Sequence, residues 1–72
     1  MDDNRTLHWE ATYEIVLRLI ELYPSIDLDT VGLHQLYEWI ITLPEFEDDP
    51  LLVNDAILTD ILREWYEEIN IL

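Results

Sequence analysis

The sequence predicts an all-α fold, a small domain of three helices with little or no strand. Three segments carry apolar residues at the spacing of an amphipathic helix, prolines interrupt the chain between them, and the strand signal is weak. Half of the 72 residues are hydrophobic, although the formal net charge is -14. This apolar content favours a packed core over a disordered acidic chain.

The first helix is expected to end at about Tyr23, because Pro24 bars its continuation. Thr12 could cap its beginning, although Trp9 or Glu10 could equally begin it. Its apolar positions recur every three or four residues: Ile15, Val16, Leu19, Leu22 and Tyr23.

Residues 24–32 are predicted to form an ordered connection between the first and second helices. Ile26, Leu28 and Val31 are expected to anchor it to the core. A second helix follows and ends before Pro44, with Trp39 beside a stripe formed by Leu33, Leu36, Ile40 and Leu43. Asn54 or Asp55 can cap the third helix. That helix has the strongest periodic signal in the chain: Ile57, Leu58, Ile61, Leu62, Trp65, Tyr66 and Ile69.

These elements divide the chain into a flexible N-terminal segment at 1–6, a single helical domain at 7–69 and a tail at 70–72. Neither a signal peptide nor a membrane anchor is evident, because no apolar run approaches the roughly 18 residues of a span. Cysteine is absent, which excludes disulfides and thiolate chemistry. We expect a cytoplasmic, monomeric protein.

The charge distribution is the most unusual property of the sequence. Seventeen Asp and Glu residues oppose three Arg residues, and the chain has no lysine. Nucleic acid and anionic membranes are therefore poor partners, whereas cations and basic protein surfaces are good ones. Asp60, Glu64 and Glu68 follow one another at a spacing of four, where each like-charge pair costs a helix about 0.2–0.5 kcal/mol. We infer that the charge serves association, with solubility as the alternative.

Two arginines offset part of this repulsion in the predicted helices. Arg18 is expected to pair with Glu14, and Arg63 with Asp60 or Glu67.

The segment EFEDDP, residues 45–50, concentrates four carboxylates in six positions. It does not form an EF-hand, because Pro50 occupies the place of the required glycine and Ala56 that of the bidentate glutamate. Glu45, Glu47, Asp48 and Asp49 offer oxygen ligands for loose binding of a hard cation such as iron, and a solvated loop is the alternative. Phe46 is expected to hold the loop against the core.

Catalytic chemistry has little support in the sequence. His8 and His34 lack the spacing of metal ligands, and no nucleophile is paired with a base. Trp9, Trp39 and Trp65, one for each helical segment, are assigned mainly to the core. We therefore predict that the protein is not an enzyme.

A set of residues spread in order from Leu7 to Glu68 carries a resemblance to a known family: Trp9, Glu14, Tyr23, Pro24, Asp27, Thr30, Val31, Trp39, Ile40, Leu43, Phe46, Asp48, Asp49, Pro50, Asn54, Ile57, Leu58, Ile61, Leu62 and Trp65. With these residues the sequence resembles the IscX family, small acidic proteins of bacterial iron–sulphur cluster assembly. The resemblance implies a winged-helix-like fold without DNA binding. It also implies an adaptor or regulator that binds the cysteine desulfurase, competes there with a frataxin-like protein and binds iron weakly.

Charge and resemblance together assign the predicted site residues. Ala11 and Gln35 stand where the family commonly has acids, whereas the acids of the 45–50 segment are kept. The predicted iron ligands are Glu45, Glu47, Asp48 and Asp49. The predicted partner-binding residues are Glu14, Glu21, Asp27, Glu45, Glu47, Asp48, Asp49 and Asp55. The alternative function is a nucleic-acid mimic that inhibits a DNA-binding protein.

Overall fold

The computed structural model describes residues 6–70. This part of the chain contains three α-helices. They are α1 at Thr12–Leu22, α2 at Leu33–Ile41 and α3 at Asp55–Ile69. Short 3₁₀ turns at Leu28–Thr30 and Pro50–Leu52 lie in the two connections. The only extended pairing among the described residues is an isolated bridge between Leu7 and Phe46. The predicted all-α, three-helix fold is confirmed.

Helix α1 begins at Thr12 rather than being capped by it. Ala11 occupies the N-cap position and makes no side-chain capping bond, and Trp9 and Glu10 form a turn ahead of the helix. At the other end the backbone N–H of Tyr23 donates to the carbonyl of Leu19 at 2.8 Å. The predicted end of the helix is confirmed to within one residue.

The connection from α1 to α2 is ordered, as predicted. The Asp27 side chain accepts a hydrogen bond from the backbone N–H of Asp29 at 3.1 Å and so caps the first 3₁₀ turn. Leu28 and Val31 are buried, and Ile26 packs against the core.

Helix α2 ends at Ile41, three residues before Pro44. The Thr42 hydroxyl donates to the carbonyls of Glu38 and Trp39 at the end of the helix, at 2.9 and 3.0 Å. Helix α3 is capped by Asn54, whose side-chain oxygen accepts from the backbone N–H of Ile57 at 2.9 Å. Of the two predicted caps, Asn54 makes this bond.

The core lies where α3 packs against α1 and α2. Trp9 and Trp65 are 4% and 1% exposed, while Trp39 is partly buried and stacks on Tyr23 with 4.1 Å between ring centroids. The core assignment of the tryptophans is therefore confirmed. The buried set is Leu7, Trp9, Ile15, Val16, Leu19, Leu28, Val31, Leu36, Ile40, Leu43, Leu58, Ile61 and Trp65.

Most of the predicted terminal segments, 1–6 and 70–72, lies outside the described residues. Asn70 is described and ends α3, because its backbone N–H donates to the Tyr66 carbonyl at 3.1 Å. The predicted domain limits stay predictions. No described helix is both long enough and apolar enough to cross a membrane.

Two leucines on α1 provide a matched test of this packing. Leu19 is fully buried, whereas Leu22 is 47% exposed. We expect Leu19→Ala to lower the free energy of unfolding by about 2–5 kcal/mol, because it leaves a cavity, and Leu22→Ala by less than about 1 kcal/mol. Urea unfolding measures both values, and equal losses would contradict the packing described here.

Candidate functional site

Leu7 holds the acidic loop, residues 45–50, by two backbone hydrogen bonds. The N–H of Leu7 donates to the Glu45 carbonyl at 2.8 Å, and the N–H of Glu47 donates to the Leu7 carbonyl at 2.9 Å. Leu7 is itself buried in the core. The loop is therefore attached to the domain along its first half.

Trp9 holds the second half of the acidic loop. Its backbone N–H donates to Asp48 Oδ2 at 3.0 Å, and its indole Nε1–H donates to the Asp49 carbonyl at 2.9 Å. Phe46 packs edge-on against the same indole, with 4.8 Å between ring centroids. Phe46 thus anchors the loop to the core, as predicted, and Trp9 fixes the orientation of its acidic neighbours.

The two aspartates of the acidic loop also accept hydrogen bonds from the loop's own backbone. Asp48 Oδ1 accepts from the N–H of Asp49 at 2.7 Å, and Asp49 Oδ1 accepts from the N–H of Leu51 at 2.9 Å. The bond from Trp9 and then that from Asp49 lower the pKa of Asp48 below its ordinary value, and His8 adds to this charge stabilisation. Both aspartates therefore hold the loop's shape as well as carrying charge.

Arg18 joins the acidic loop to α1. Its Nε–H donates to Glu45 Oε1 at 3.1 Å, and Nη1–H donates to Glu21 Oε1 at 2.7 Å. Hydrogen bonds to Glu45 and Glu21 raise the pKa of Arg18, so the guanidinium stays charged. The predicted pair with Glu14 is not among the ion pairs of the described residues. Arg18 pairs instead with Glu21, three positions along α1, and with Glu45 of the acidic loop.

On α3 the predicted arginine pair is found. Arg63 Nη2 lies 3.4 Å from Asp60 Oδ1, with both side chains well exposed.

One face of α1 extends the charged area beyond the acidic loop. Glu14, Arg18 and Glu21 lie at positions i, i+4 and i+7, which places them along one side of the helix. Glu14 and Glu47 are exposed, and their side chains accept no hydrogen bond from the described residues. We call this area the acidic surface; its carboxylates are Glu14, Glu21, Glu45, Glu47, Asp48 and Asp49.

The other two predicted partner-binding residues are placed differently. Asp27 caps the first 3₁₀ turn, next to Asp29, which accepts a hydrogen bond from the Tyr66 hydroxyl of α3. That bond raises the pKa of Tyr66. Asp55 is exposed in the first turn of α3. No hydrogen bond or ion pair of the described residues links either aspartate to the acidic surface.

The acidic loop does not form a ready metal cage. Within residues 6–70, no group of three or more His, Cys, Asp or Glu side chains is arranged to hold a metal ion. Glu45, Asp48 and Asp49 already accept hydrogen bonds from protein groups, which leaves Glu47 as the least engaged of the four predicted ligands. Iron binding at this loop stays a prediction.

The double role of Trp9 was not foreseen from the sequence. A buried indole N–H needs an acceptor, so the sequence could indicate that a partner exists. The partner itself lies 40 positions away along the chain, and only the folded structure identifies it.

Two comparisons with known proteins bear on this site. A family model described as iron–sulphur cluster assembly matches residues 7–70, which include all three helices and the acidic loop. An uncharacterized protein of Pseudomonas aeruginosa is 36% identical over 63 residues, which cover 88% of this chain and 96% of that protein. Both matches thus extend over nearly the whole described domain.

The structural role of Asp48 predicts a pH-dependent loss of stability in Asp48→Asn. Its lowered pKa means that the carboxylate stabilises the fold above the ordinary Asp pKa of about 3.9, and that this contribution is lost as the pH falls through the lower folded-state value. We expect Asp48→Asn to unfold at lower urea than wild type at pH 7, and the difference to shrink below about pH 4.

Glu47→Gln is the matched control, because it removes one negative charge from the same loop without removing those hydrogen bonds. If both variants lost the same stability at pH 7, the bonds to Asp48 would have no special role.

Proposed function

The chain belongs to the iron–sulphur cluster assembly family, the IscX family, and on that premise we propose that it is a non-enzymatic adaptor that binds a cysteine desulfurase through its acidic surface. In this proposal the protein acts in the cytoplasm as a monomer. It regulates sulphur transfer by occupying a basic surface of the desulfurase, for which a frataxin-like protein competes.

The observation that carries the proposal is the rigid acidic loop. A carboxylate on a mobile loop gives up conformational freedom when it binds, whereas carboxylates on an anchored loop are already oriented. Leu7, Trp9 and Arg18 each donate hydrogen bonds that anchor this loop. The acidic surface therefore suits recognition of a fixed arrangement of lysines and arginines.

The net charge supports a basic partner. A chain at -14 attracts positively charged surfaces over a distance set by the ionic strength, which speeds encounter more than it strengthens the final complex. No described ionisable side chain is buried, so the carboxylates remain on the surface of the domain. The comparisons offer no support for the alternative of a nucleic-acid mimic.

Iron binding enters the proposal as a weak, secondary property of the acidic loop. Carboxylate oxygens suit iron as a hard cation, but three of the four predicted ligands already serve the fold. A bound ion would thus use Glu47 first and would compete with Arg18 for Glu45. Such a site would be loose and unselective.

Salt-dependent kinetics with the purified desulfurase test the docking proposal. We expect binding that weakens as salt rises, because screening shortens the reach of the charges. Glu14→Gln/Glu47→Gln should weaken binding about three- to tenfold, mainly through slower association and with a shallower salt dependence.

The matched control is the double variant Asp60→Asn/Glu67→Gln, which removes the same net charge from exposed positions of α3. It should weaken binding clearly less than the double variant of the acidic surface. No binding at low salt, or binding indifferent to salt, would overturn the proposal.

An anaerobic titration with ferrous iron tests the metal proposal separately. Glu45→Gln/Glu47→Gln should bind iron several-fold more weakly than wild type, because it removes two carboxylates while leaving the hydrogen bonds of Asp48 and Asp49 in place. Glu64→Gln/Glu67→Gln on α3 is the charge-matched control. Unchanged affinity in the first variant would remove the loop from the iron site.

A further inference from the structure

Two adjacent leucines next to the acidic loop are exposed to an unusual degree. Leu51 is 86% exposed and Leu52 is 62% exposed, more than any other large hydrophobic residue that the structure describes. Scattered exposed leucines are ordinary on protein surfaces. These two differ because they are consecutive and because their backbone is firmly held. We call them the leucine pair.

The turn that carries the leucine pair is anchored on both sides. Asp49 Oδ1 accepts from the N–H of Leu51 at 2.9 Å, and the Asp49 carbonyl accepts from the N–H of Leu52 at 3.1 Å. That same carbonyl accepts from the buried indole of Trp9. Downstream, Val53 packs against the core. The exposure of the leucines is therefore a fixed feature of the fold, not the result of a loose loop.

The surroundings of the leucine pair are acidic. Glu47 and Asp49 precede it and Asp55 follows it within a few positions, and all three are exposed. An apolar centre with a charged rim is the usual composition of a protein interface, in which the centre excludes water and the rim sets specificity. The leucine pair supplies such a centre next to the acidic surface.

Charge decides which partner can cover this apolar patch. A second copy of the chain would bring another net charge of -14 against the same acidic rim, and anionic lipid headgroups would be repelled in the same way. A basic protein surface meets no such repulsion. The patch therefore fits a shallow apolar pocket that is framed by lysine or arginine.

We propose that Leu51 and Leu52 are the apolar anchor through which the acidic surface binds its basic protein partner. This inference rests on the proposed function, since it supplies the short-range contact for the complex with the desulfurase. Charges on the rim govern association, whereas a desolvated anchor governs dissociation. The two sets of residues should therefore have separable kinetic effects.

Binding kinetics with the purified desulfurase test the anchor. Leu51→Ser/Leu52→Ser should weaken binding about tenfold or more, mainly through faster dissociation and with the salt dependence of association unchanged. Leu51→Met/Leu52→Met, which keeps apolar volume, should bind nearly as wild type. Ile69→Ser is the control, because it removes an exposed apolar side chain far from the leucine pair. Ile69 lies at the end of α3, about 21 Å along the helix from Asp55, the residue of α3 that follows the leucine pair most closely in the chain.

The outcomes separate this inference from the proposed function. If the serine variant binds as wild type while Glu14→Gln/Glu47→Gln binds weakly, the anchor is wrong and the docking proposal stands. If wild type does not bind the desulfurase, both are overturned. Urea unfolding should be unchanged in the serine variant, because both side chains are exposed in the fold.

Other occupants of the patch would also be visible. Sedimentation that shows a wild-type dimer and a monomeric serine variant would assign the leucine pair to self-association. Flotation with neutral phosphatidylcholine vesicles that is lost in the serine variant would assign it to a membrane. Either result would overturn the inference.

Discussion

The hydrogen bonds from Trp9 to the acidic loop are the interaction on which the site depends. A chain with no lysine has few side-chain cations to place among neighbouring carboxylates, so backbone N–H groups take that role. Asp48 accepts from Trp9, and Asp49 accepts from Leu51. Because the Trp9 ring is also part of the core, one residue ahead of α1 couples the acidic loop to the helices. The acidic loop is thus built into the domain.

This arrangement gives the carboxylates of the acidic surface different tasks. Asp48 and Asp49 accept hydrogen bonds that shape the loop, and Glu45 binds Arg18. Glu14 and Glu47 make no such bond within the described residues and are exposed. Neutralising the aspartates would therefore change structure and charge together. Substitution of the exposed glutamates tests the effect of charge on association more directly, because it leaves the hydrogen bonds that hold the loop backbone in place.

Local patterns in the sequence were enough to predict the helices. The spacing of Leu58, Ile61 and Trp65 identifies the buried face of α3, and Asn54 stands where a cap is needed. The second partner of Arg18, Glu45, could not be predicted in the same way, although Glu21 lies only three positions away on α1. Neighbours at i+4 are read from the sequence, whereas Glu45 is 27 positions away and meets Arg18 only after the loop folds back. The loop's acids were likewise evident from composition, but their hydrogen bonds to Trp9 depend on tertiary packing.

Charge and apolar contact act over different distances, and this difference explains why an adaptor would carry both. At physiological ionic strength, exposed charges are screened beyond about 8 Å, so they guide encounter but hold a complex weakly. In the proposed complex the leucine pair would act only at contact, where removing apolar surface from water slows dissociation. Its anchored turn loses little conformational freedom on binding. Because the leucine pair lies next to the acidic loop, one small surface would combine rapid association with slow dissociation of the complex.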